Sequence, residues 1–400
     1  MAEAHDLVIL GGGCAGLSLA MALAAQGAGC PRTLIVESRT GYGNDRTWCF
    51  WRDRAALAPY PTQHHWQTMR VTHGGQSVSL DCGSTPYQMV AAQDFYAAAQ
   101  GLIEQQPNIA LRLGTAVLGA PSRSGGVWHI RTGMGTGTGT RTCIVKARSV
   151  VDTRPPLQPR RDGATLWQSF YGQEIECSAA VFDPSSLDLM NFLAPDARDV
   201  AFVYVLPVTP TRALVELTVF GATPLEPHEL SVRLDAALAR CVGDASFTTL
   251  RSEHGILPMG LNDGPSSPDP SFVRVGVMAG GARPSTGFAF QRIQGWAGEC
   301  AQALLRDGHP VGHRADPLPL RWMDQIFLDV LRADPRRGGA IFFALFSRAD
   351  PARVIRFLSG QAGLIDSLAV VAAMPVPPFL KAALALTRRR GRLRAVEGVG

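Results

Sequence analysis

Short apolar runs and glycines alternate at the start of the chain and predict a strand, a helix and a second strand. Residues 7–10 form an apolar run that glycines follow at once, which is typical of a buried parallel strand. Residues 14–26 are rich in alanine and leucine and predict a helix that Gly27 ends. Residues 33–37 predict a second buried strand, so these segments indicate a βαβ unit.

The pattern along the rest of the chain becomes β-rich and finally helical. Residues 91–105 predict a helix, residues 149–152 predict a strand that returns to the first sheet, and the glycine-rich run 133–140 indicates a flexible hairpin connection. Later apolar patterns predict strands at 200–206, 212–220 and 273–278 and helices at 230–241 and 288–304. After about residue 312 the chain is predicted to be helical to its end, with breaks near Asp334, Asp350 and Pro375.

These elements predict an α/β protein of several segments. Residues 1–160, with a helical and β insertion near 80–147, and residues 256–312 are expected to form the two parts of one Rossmann-like nucleotide-binding domain. A β-rich substrate domain is expected at 161–255, and a C-terminal helical cap with a basic tail at 313–400.

Composition and charge exclude several classes of protein. The chain has 400 residues, of which 46% are hydrophobic and 18% charged, so it can bury a large core and is not a disordered chain. The net charge of +5 comes from the last twenty residues, which include Lys381 and Arg388–Arg390. The remaining residues are neutral overall, so we expect no nucleic-acid partner.

The cysteines and apolar runs bear on the compartment. Eight scattered cysteines without a CxxC pair indicate a reducing, cytoplasmic environment. The N-terminal apolar run has no basic segment before it, so no signal peptide is expected, and no uninterrupted apolar run reaches about 18 residues. His309 and His313 are spaced as helical metal ligands, but Pro310 and Gly312 between them favour a loop, so no metal site is expected.

A glycine motif follows the first predicted strand. Gly11, Gly13 and Gly16 fit GxGxxG at the start of the predicted helix, where backbone N–H groups can approach a pyrophosphate. Glu37 ends the next strand 21 residues after Gly16, where a carboxylate accepts hydrogen bonds from ribose hydroxyls. This arrangement predicts a site for FAD or NAD; the alternative is a glycine turn between packed elements.

A second glycine cluster favours FAD over NAD. Residues 279–287 follow a predicted strand and open a predicted helix, a position that approaches the flavin in FAD enzymes of this architecture. The candidate cofactor residues there are Gly280, Gly281, Pro284, Thr286 and Gly287. An ordinary strand–helix turn is the alternative.

The segment 44–51 combines polar donors with aromatic rings. Trp48 and Trp51 suit a flat ring system or a long apolar ligand, whereas a core patch is the alternative. Arg46, in the same segment, is a candidate for binding the cofactor.

One acidic residue lies within an apolar strand. Strand alternation puts Leu214, Glu216, Thr218 and Phe220 on one face. Burial would raise the pKa of the Glu216 carboxyl and suit it to general acid catalysis, with Phe220 beside the substrate. The alternative is an edge-strand glutamate that faces water.

Several segments in order resemble the bacterial lycopene β-cyclases, flavoproteins of carotenoid biosynthesis. They include the first glycine motif and the aromatic segment 44–51, and five later segments at 170–174, 202–207, 214–218, 280–287 and 374–377. The resemblance covers most of the chain. It implies a Rossmann-like FAD-binding fold of the glutathione-reductase or hydroxybenzoate-hydroxylase kind.

The resemblance also implies a reaction. Reduced FAD is required, with NAD(P)H as the electron source, although the reaction has no net redox change. An acid, matching Glu216, protonates the linear ψ-end of lycopene or a related linear carotenoid, and the resulting carbocation closes a β-ionone ring. Because this substrate is insoluble in water, the protein is expected to bind the inner face of the cytoplasmic membrane through Phe379, Leu380, Leu384 and Leu386 beside Arg388–Arg390.

Two positions depart from the family pattern. Leu217 replaces an acidic residue beside Glu216, and Asn191 replaces an aspartate in a Met-Asp-Phe segment. Alternative functions are therefore a flavin-dependent monooxygenase or prenyl-chain reductase on the same fold, or a non-catalytic flavin or carotenoid carrier.

Overall fold

The computed structural model describes residues 4–136, 139–156, 163–261 and 268–397. Within these ranges the strands are β1 (Ala4–Leu10), β2 (Thr33–Val36), β3 (Thr47–Trp51), β4 (His64–Trp66), β5 (Thr68–His73), β6 (Gln76–Asp81), β7 (Tyr87–Ala91), β8 (Ile109–Arg112), β9 (Thr115–Val117), β10 (Ser122–Ser124), β11 (Val127–Thr136), β12 (Gly139–Asp152), β13 (Ala164–Cys177), β14 (Ser186–Phe192), β15 (Asp199–Pro207), β16 (Arg212–Gly221), β17 (Phe247–Leu261) and β18 (Phe272–Arg274). The helices are α1 (Cys14–Ala24), α2 (Ala92–Glu104), α3 (Pro227–Val242), α4 (Phe290–Asp307), α5 (Leu318–Ala333), α6 (Gly338–Arg348), α7 (Pro351–Leu358), α8 (Leu364–Ala373) and α9 (Val376–Glu397).

The first sheet is built around the N-terminal strand. Its order is β10-β11-β12-β1-β2-β8, with β18 beside β12 and β9 beside β11, and β1 pairs in parallel with both β2 and β12. Leu7 and Ile9 of β1 are fully buried in one core with helices α1 and α4, and Val8 and Leu10 are fully buried in a second core. This arrangement confirms the predicted βαβ unit and the return strand.

The second sheet has the order β17-β13-β16-β15-β14-β5-β6. Alternation along β16 divides its side chains between two cores. Val215 and Leu217 pack against helix α3, whereas Leu214 and Phe220 face the core that includes the C-terminal helices. A smaller sheet, β3-β7-β4, lies apart from both larger sheets.

Three observations differ from the sequence-based expectations. The predicted strand 273–278 is limited to β18, because Gly276 takes a φ of +99° and a 3-10 turn follows at Val277–Ala279. The second sheet also takes β5 and β6 from outside residues 161–255, and β17 continues to Leu261. Residues 133–136 and 139–140 pair as antiparallel strands, and the rest of the predicted hairpin connection lies outside the described residues.

The C-terminal part is helical, as predicted. Helix α5 ends just before Asp334, and Asp350 caps the N-terminus of α7 by accepting a hydrogen bond from the backbone N–H of Arg353. Helices α8 and α9 are separated by Met374 and Pro375 and are bent by 117° relative to each other. The domain boundaries given above remain predictions.

Candidate functional site

A cavity of about 640 Å³ joins the glycine motif to the second sheet. It lies at the carboxyl ends of β1 and β2, where parallel α/β sheets bind their ligands. Its wall includes the glycine turn, the end of β2, the start of β3, one face of the second sheet, and residues 153–155, 276–278 and 287–290. The cavity therefore brings together Gly11, Gly13, Glu37, Arg46, Trp48, Glu216 and Gly287, which the sequence analysis identified separately.

The first glycine turn has the geometry that its three glycines suggest. Gly11 has a φ of +99°, a conformation that side chains disfavour. A Cβ on Gly16 would lie 2.0 Å from the carbonyl oxygen of Gly11, so α1 can pack this closely only with glycine there. A Cβ on Gly13 would meet only Arg39 Nη2, at 3.9 Å, which leaves open space above the N-terminus of α1. This terminus is suited to a phosphate group.

Glu37 is held at the end of β2 by the same turn. The backbone N–H of Gly12 donates to Glu37 Oε2 at 2.6 Å, and the backbone N–H of Arg39 donates to Oε1 at 2.8 Å. Burial opposes ionisation of this carboxyl, but the hydrogen bonds from Arg39 and Gly12 outweigh it and lower the pKa of Glu37. The carboxylate is therefore available as an acceptor beside the glycine turn.

The second glycine segment borders the cavity only in part. Gly287 lines it, with a φ of +74°, and a Cβ there would lie 2.3 Å from Gln168 Oε1. Gly280 and Pro284 line a separate cavity of about 260 Å³, and Thr286 lines an apolar cavity beneath the C-terminal helices. Gly281 instead closes a turn, since its N–H donates to the carbonyl of Gly276 at 2.9 Å. These four residues do not line the main cavity.

Residues 276–278 line the main cavity in the position beside the cofactor that the sequence predicts for residues 280–286. Gly276, Val277 and Met278 line the main cavity, where the chain leaves β18 and turns sharply. A glycine directly after an apolar strand was the available signal. It was missed because the strand was expected to continue to residue 278.

The aromatic candidates divide between the cavity and the core. Trp48 lines the cavity, and its ring stacks on that of Phe290 at 5.2 Å. Trp51 is only 2% exposed and packs against Tyr87 and Phe288 in the core.

Phe220 also lies in the core rather than along the cavity. Its ring packs against Phe202 and Phe342. For Trp51 the core alternative therefore describes the observed environment, and the prediction that Phe220 lies beside the substrate does not match its place in the core. The cavity has other aromatic residues that the sequence analysis did not select: Phe170, Tyr87, Tyr204 and Phe288.

Glu216 lies in the cavity wall on a central strand. Strand β16 is between β13 and β15, so the alternative of an edge-strand residue facing water is wrong. The hydroxyl of Thr218 donates to Glu216 Oε1 at 2.7 Å. Burial, reinforced by the negative charge of Glu253, raises the pKa of Glu216 to about 8. The carboxyl is therefore protonated at neutral pH and can donate a proton into the cavity.

The two departures from the family pattern lie away from Glu216. Leu217 points to the opposite face of β16 and packs in the core beneath α3. Asn191 lies on β14 and lines a different cavity with Arg70 and Asp188. Neither Leu217 nor Asn191 lines the cavity that contains Glu216.

Metal and membrane features are limited in the described residues. Within residues 4–136, 139–156, 163–261 and 268–397, no three His, Cys, Asp or Glu side chains form a group that could hold a metal ion. His313 instead accepts a hydrogen bond from the N–H of Gly276 at 2.9 Å.

Among the described residues, no single helix is long and apolar enough to cross a membrane. The bent pair α8–α9, taken together, has the length and the apolar composition of a membrane span.

The fold is one found among flavin-dependent enzymes. The flavin-dependent brominase Bmp2 has a similar structure, with a TM-score of 0.58 over 97% of this chain and all of that chain. The two sequences are only 13% identical, so this likeness concerns the fold. Together with the glycine turn and Glu37, it defines a Rossmann-like α/β fold of the kind found in flavin-dependent enzymes.

The chain belongs to the lycopene cyclase family, a family of enzymes. The family model described as lycopene cyclase protein matches residues 6–384. The lycopene beta-cyclase of Pantoea ananas is 24% identical and covers 96% of this chain and 98% of its own length. The lycopene beta-cyclase of Paracoccus sp. (strain N81106 / MBIC 01143) is 26% identical with the same coverage.

Proposed function

We propose that the protein is a lycopene β-cyclase that binds FAD and closes the linear ψ-ends of lycopene into β-ionone rings without net redox change. The observation that carries this proposal is Glu216, a buried, protonated carboxyl in the same cavity as the glycine turn. Both relatives bear the name lycopene beta-cyclase. Membership of the family supports a carotenoid substrate.

The residues at the glycine turn fit FAD. The open space over Gly13 and the α1 N-terminus suit the pyrophosphate, and Glu37 suits the ribose hydroxyls. Gly276, Gly287 and Trp48, which line the cavity, would border the flavin end. Reduced FAD would supply a fixed negative charge near a cationic substrate, and NAD(P)H is proposed as the source of its electrons.

Glu216 initiates the proposed reaction. Its proton adds to the terminal double bond of the ψ-end and leaves a tertiary carbocation. The neighbouring double bond then attacks this cation, which forms the ring bond and moves the positive charge into the ring. Loss of a ring proton leaves the β-ionone double bond. The rings of Trp48, Phe170 and Phe288 line the cavity, where they exclude water and can stabilise the cation through their faces.

Expression in a bacterium that accumulates lycopene tests this proposal directly. Pigment chromatography should show γ-carotene or β-carotene, depending on whether one or both ends are cyclised. Unchanged lycopene, in cells that contain the folded flavin-bound protein, would contradict the proposal. An oxygenated or hydrogenated carotenoid would favour the monooxygenase or reductase alternative.

The absence of a side chain at Gly172 gives Glu216 its position. Gly172 lies on β13 directly opposite Glu216. A Cβ there would be 3.2 Å from Glu216 Cβ and 3.2 Å from Leu214 Cδ1, which is tighter than ordinary van der Waals contact.

Gly172→Ala should therefore displace Glu216 and lower the rate of ring formation by roughly tenfold, since a misplacement of about 1 Å can cost about 10²-fold. The measurement is single-turnover cyclisation with FAD content determined in parallel. Gly135→Ala is the matched control, because a Cβ on this strand glycine meets nothing within 4 Å. Equal rates for the two variants would contradict the positioning role.

We also propose that α8 and α9 bind the inner face of the cytoplasmic membrane. Leu364, Ile365 and Leu368 on α8 are 74%, 71% and 59% exposed, and Leu380 and Leu384 on α9 are also exposed. Phe379 was expected on this surface, but it packs towards Phe327. The side chains of Arg388–Arg390 lie outside the described residues, so their part in binding anionic lipid rests on sequence alone.

Replacing Leu364, Ile365 and Leu368 together with glutamine should weaken binding to phosphatidylglycerol vesicles by at least about tenfold, because full burial of each such side chain contributes about 1.5–3 kcal/mol. Vesicle sedimentation measures the effect. Leu57→Gln, at a residue that is 99% exposed elsewhere, is the control. Equal sedimentation of both variants would contradict this surface, and a chain ending at Thr387 tests the basic tail separately.

A further inference from the structure

Glu216 and Glu253 lie in one row across the second sheet, on either side of a glycine. Gly172 on β13 pairs with Glu216 on β16 and also with Glu253 on β17. Paired residues on neighbouring strands point to the same face of a sheet, and two strand spacings place the two Cα atoms roughly 10 Å apart. Gly172 has no side chain of its own, and the side chains of Glu216 and Leu214 pack over it. Both glutamates line the main cavity.

Glu253 is held in the cavity by an ion pair and a second hydrogen bond. Arg251 Nη1 donates to Glu253 Oε2 at 2.5 Å, and the hydroxyl of Thr47 donates to the same oxygen at 2.8 Å. Arg251 is fixed in turn by Glu174, to which its Nε donates at 2.5 Å. Oε1 of Glu253 takes part in neither hydrogen bond. The arrangement holds a buried carboxylate in the cavity with one oxygen available.

The other groups along the cavity are less suited to accept a proton. Glu37 and Asp45 lie at the cofactor end and are hydrogen-bonded to Arg39. Burial raises the pKa values of the Cys49 thiol and the Tyr204 hydroxyl well above their ordinary values, so both stay protonated. On the sheet face, this leaves Glu216 as the protonated carboxyl and Glu253 as its ion-paired counterpart, an arrangement that separates an acid from a base.

We propose that Glu253 is the base that removes the ring proton after cyclisation and so fixes the position of the ring double bond. This role rests on the proposed function. Glu216 donates one proton to the terminal double bond, and the ring bond forms from the electron pair of the neighbouring double bond. The ring carbon that made this bond then loses its hydrogen as a proton to Glu253 Oε1. The electrons of that C–H bond form the ring double bond. One proton enters and one leaves for each ring, so both carboxyl groups exchange a proton with solvent before the next turnover.

Glu253→Gln tests this assignment through the identity of the products. Without the base, the ring cation should lose its proton from another adjacent carbon, so some rings should carry the double bond at a neighbouring position. The total rate should also fall by at least about 10²-fold, the usual contribution of a positioned base. Purified holoenzyme is supplied with lycopene in phosphatidylglycerol vesicles, and the ring isomers are separated by chromatography and identified by NMR.

Glu174→Gln is the matched control, since Glu174 is also ion-paired with Arg251 but does not line the cavity. It should give β-rings only, and Glu253→Asp, which keeps the carboxylate, should restore a majority of β-rings. The inference is overturned if Glu253→Gln forms only β-rings at the wild-type rate, or if Glu174→Gln shifts the double bond equally. If the wild-type protein forms no ring, the proposed function fails and this inference falls with it. β-Rings from the wild type together with unchanged Glu253→Gln products would overturn this inference alone.

Discussion

Glu216→Gln should reduce ring formation by at least about 10²-fold while FAD stays bound, because positioned acid catalysis typically contributes about 10²–10⁴-fold. Glutamine keeps the shape of the side chain and can still bond to Thr218, but it has no acidic proton. Single-turnover rates with reduced flavin, together with the flavin absorbance of the purified variant, measure the two effects separately.

The control for this variant is Glu176→Gln on β13. Glu176 accepts a hydrogen bond from Thr211 and does not line the cavity, so its replacement should leave the rate within a few-fold of wild type. A near-wild-type rate for Glu216→Gln would show that the proton comes from another group.

The pH dependence of the wild-type rate follows from the same carboxyl. Burial raises the pKa of Glu216 to about 8, so its acid form is present at neutral pH and is lost as the pH rises through about 8. The rate should therefore fall above this pH.

Gly13→Leu should yield a colourless protein with no cyclase activity. A leucine side chain would fill the open space over the α1 N-terminus, where the pyrophosphate is expected. Gly13 has a φ of −82°, which any residue adopts, so the variant should fold. Flavin absorbance and thermal unfolding of the purified protein measure both properties.

Gly101→Leu on α2 is the matched control, since a Cβ at this position meets nothing within 4 Å. It should retain FAD. Wild-type flavin content in the Gly13 variant would contradict the assignment of the glycine turn as the cofactor site.

The sequence predicts those parts of the site that depend on local patterns. The βαβ unit follows from apolar runs and glycines, and the inward position of Glu216 follows from strand alternation. Glu253 could not be found in this way, because its role depends on the register of β17 against β13, opposite a glycine. A pattern along one strand does not specify which residues of another strand lie beside it.

Composition also leaves the roles of apolar residues open. Trp48 and Trp51 come from one short segment, yet the first lines the cavity and the second lies in the core. Trp48 and Trp51 are three residues apart on β3 and so point to opposite faces of the strand, and Trp51 packs against Tyr87 and Phe288. The strands β5 and β6 were missed for a related reason, since they join a sheet whose other strands follow about 85 residues or more later in the chain.

The stoichiometry of NAD(P)H consumption during anaerobic turnover tests the central claim most directly. The purified protein is given FAD, lycopene in phosphatidylglycerol vesicles and only enough NADPH to reduce the flavin. Many β-rings should form for each NADPH oxidised, because in the proposed reaction the reduced flavin is not consumed and the proton comes from Glu216. Consumption of one NADPH for each product molecule, or no ring formation with fully reduced flavin, would contradict this claim.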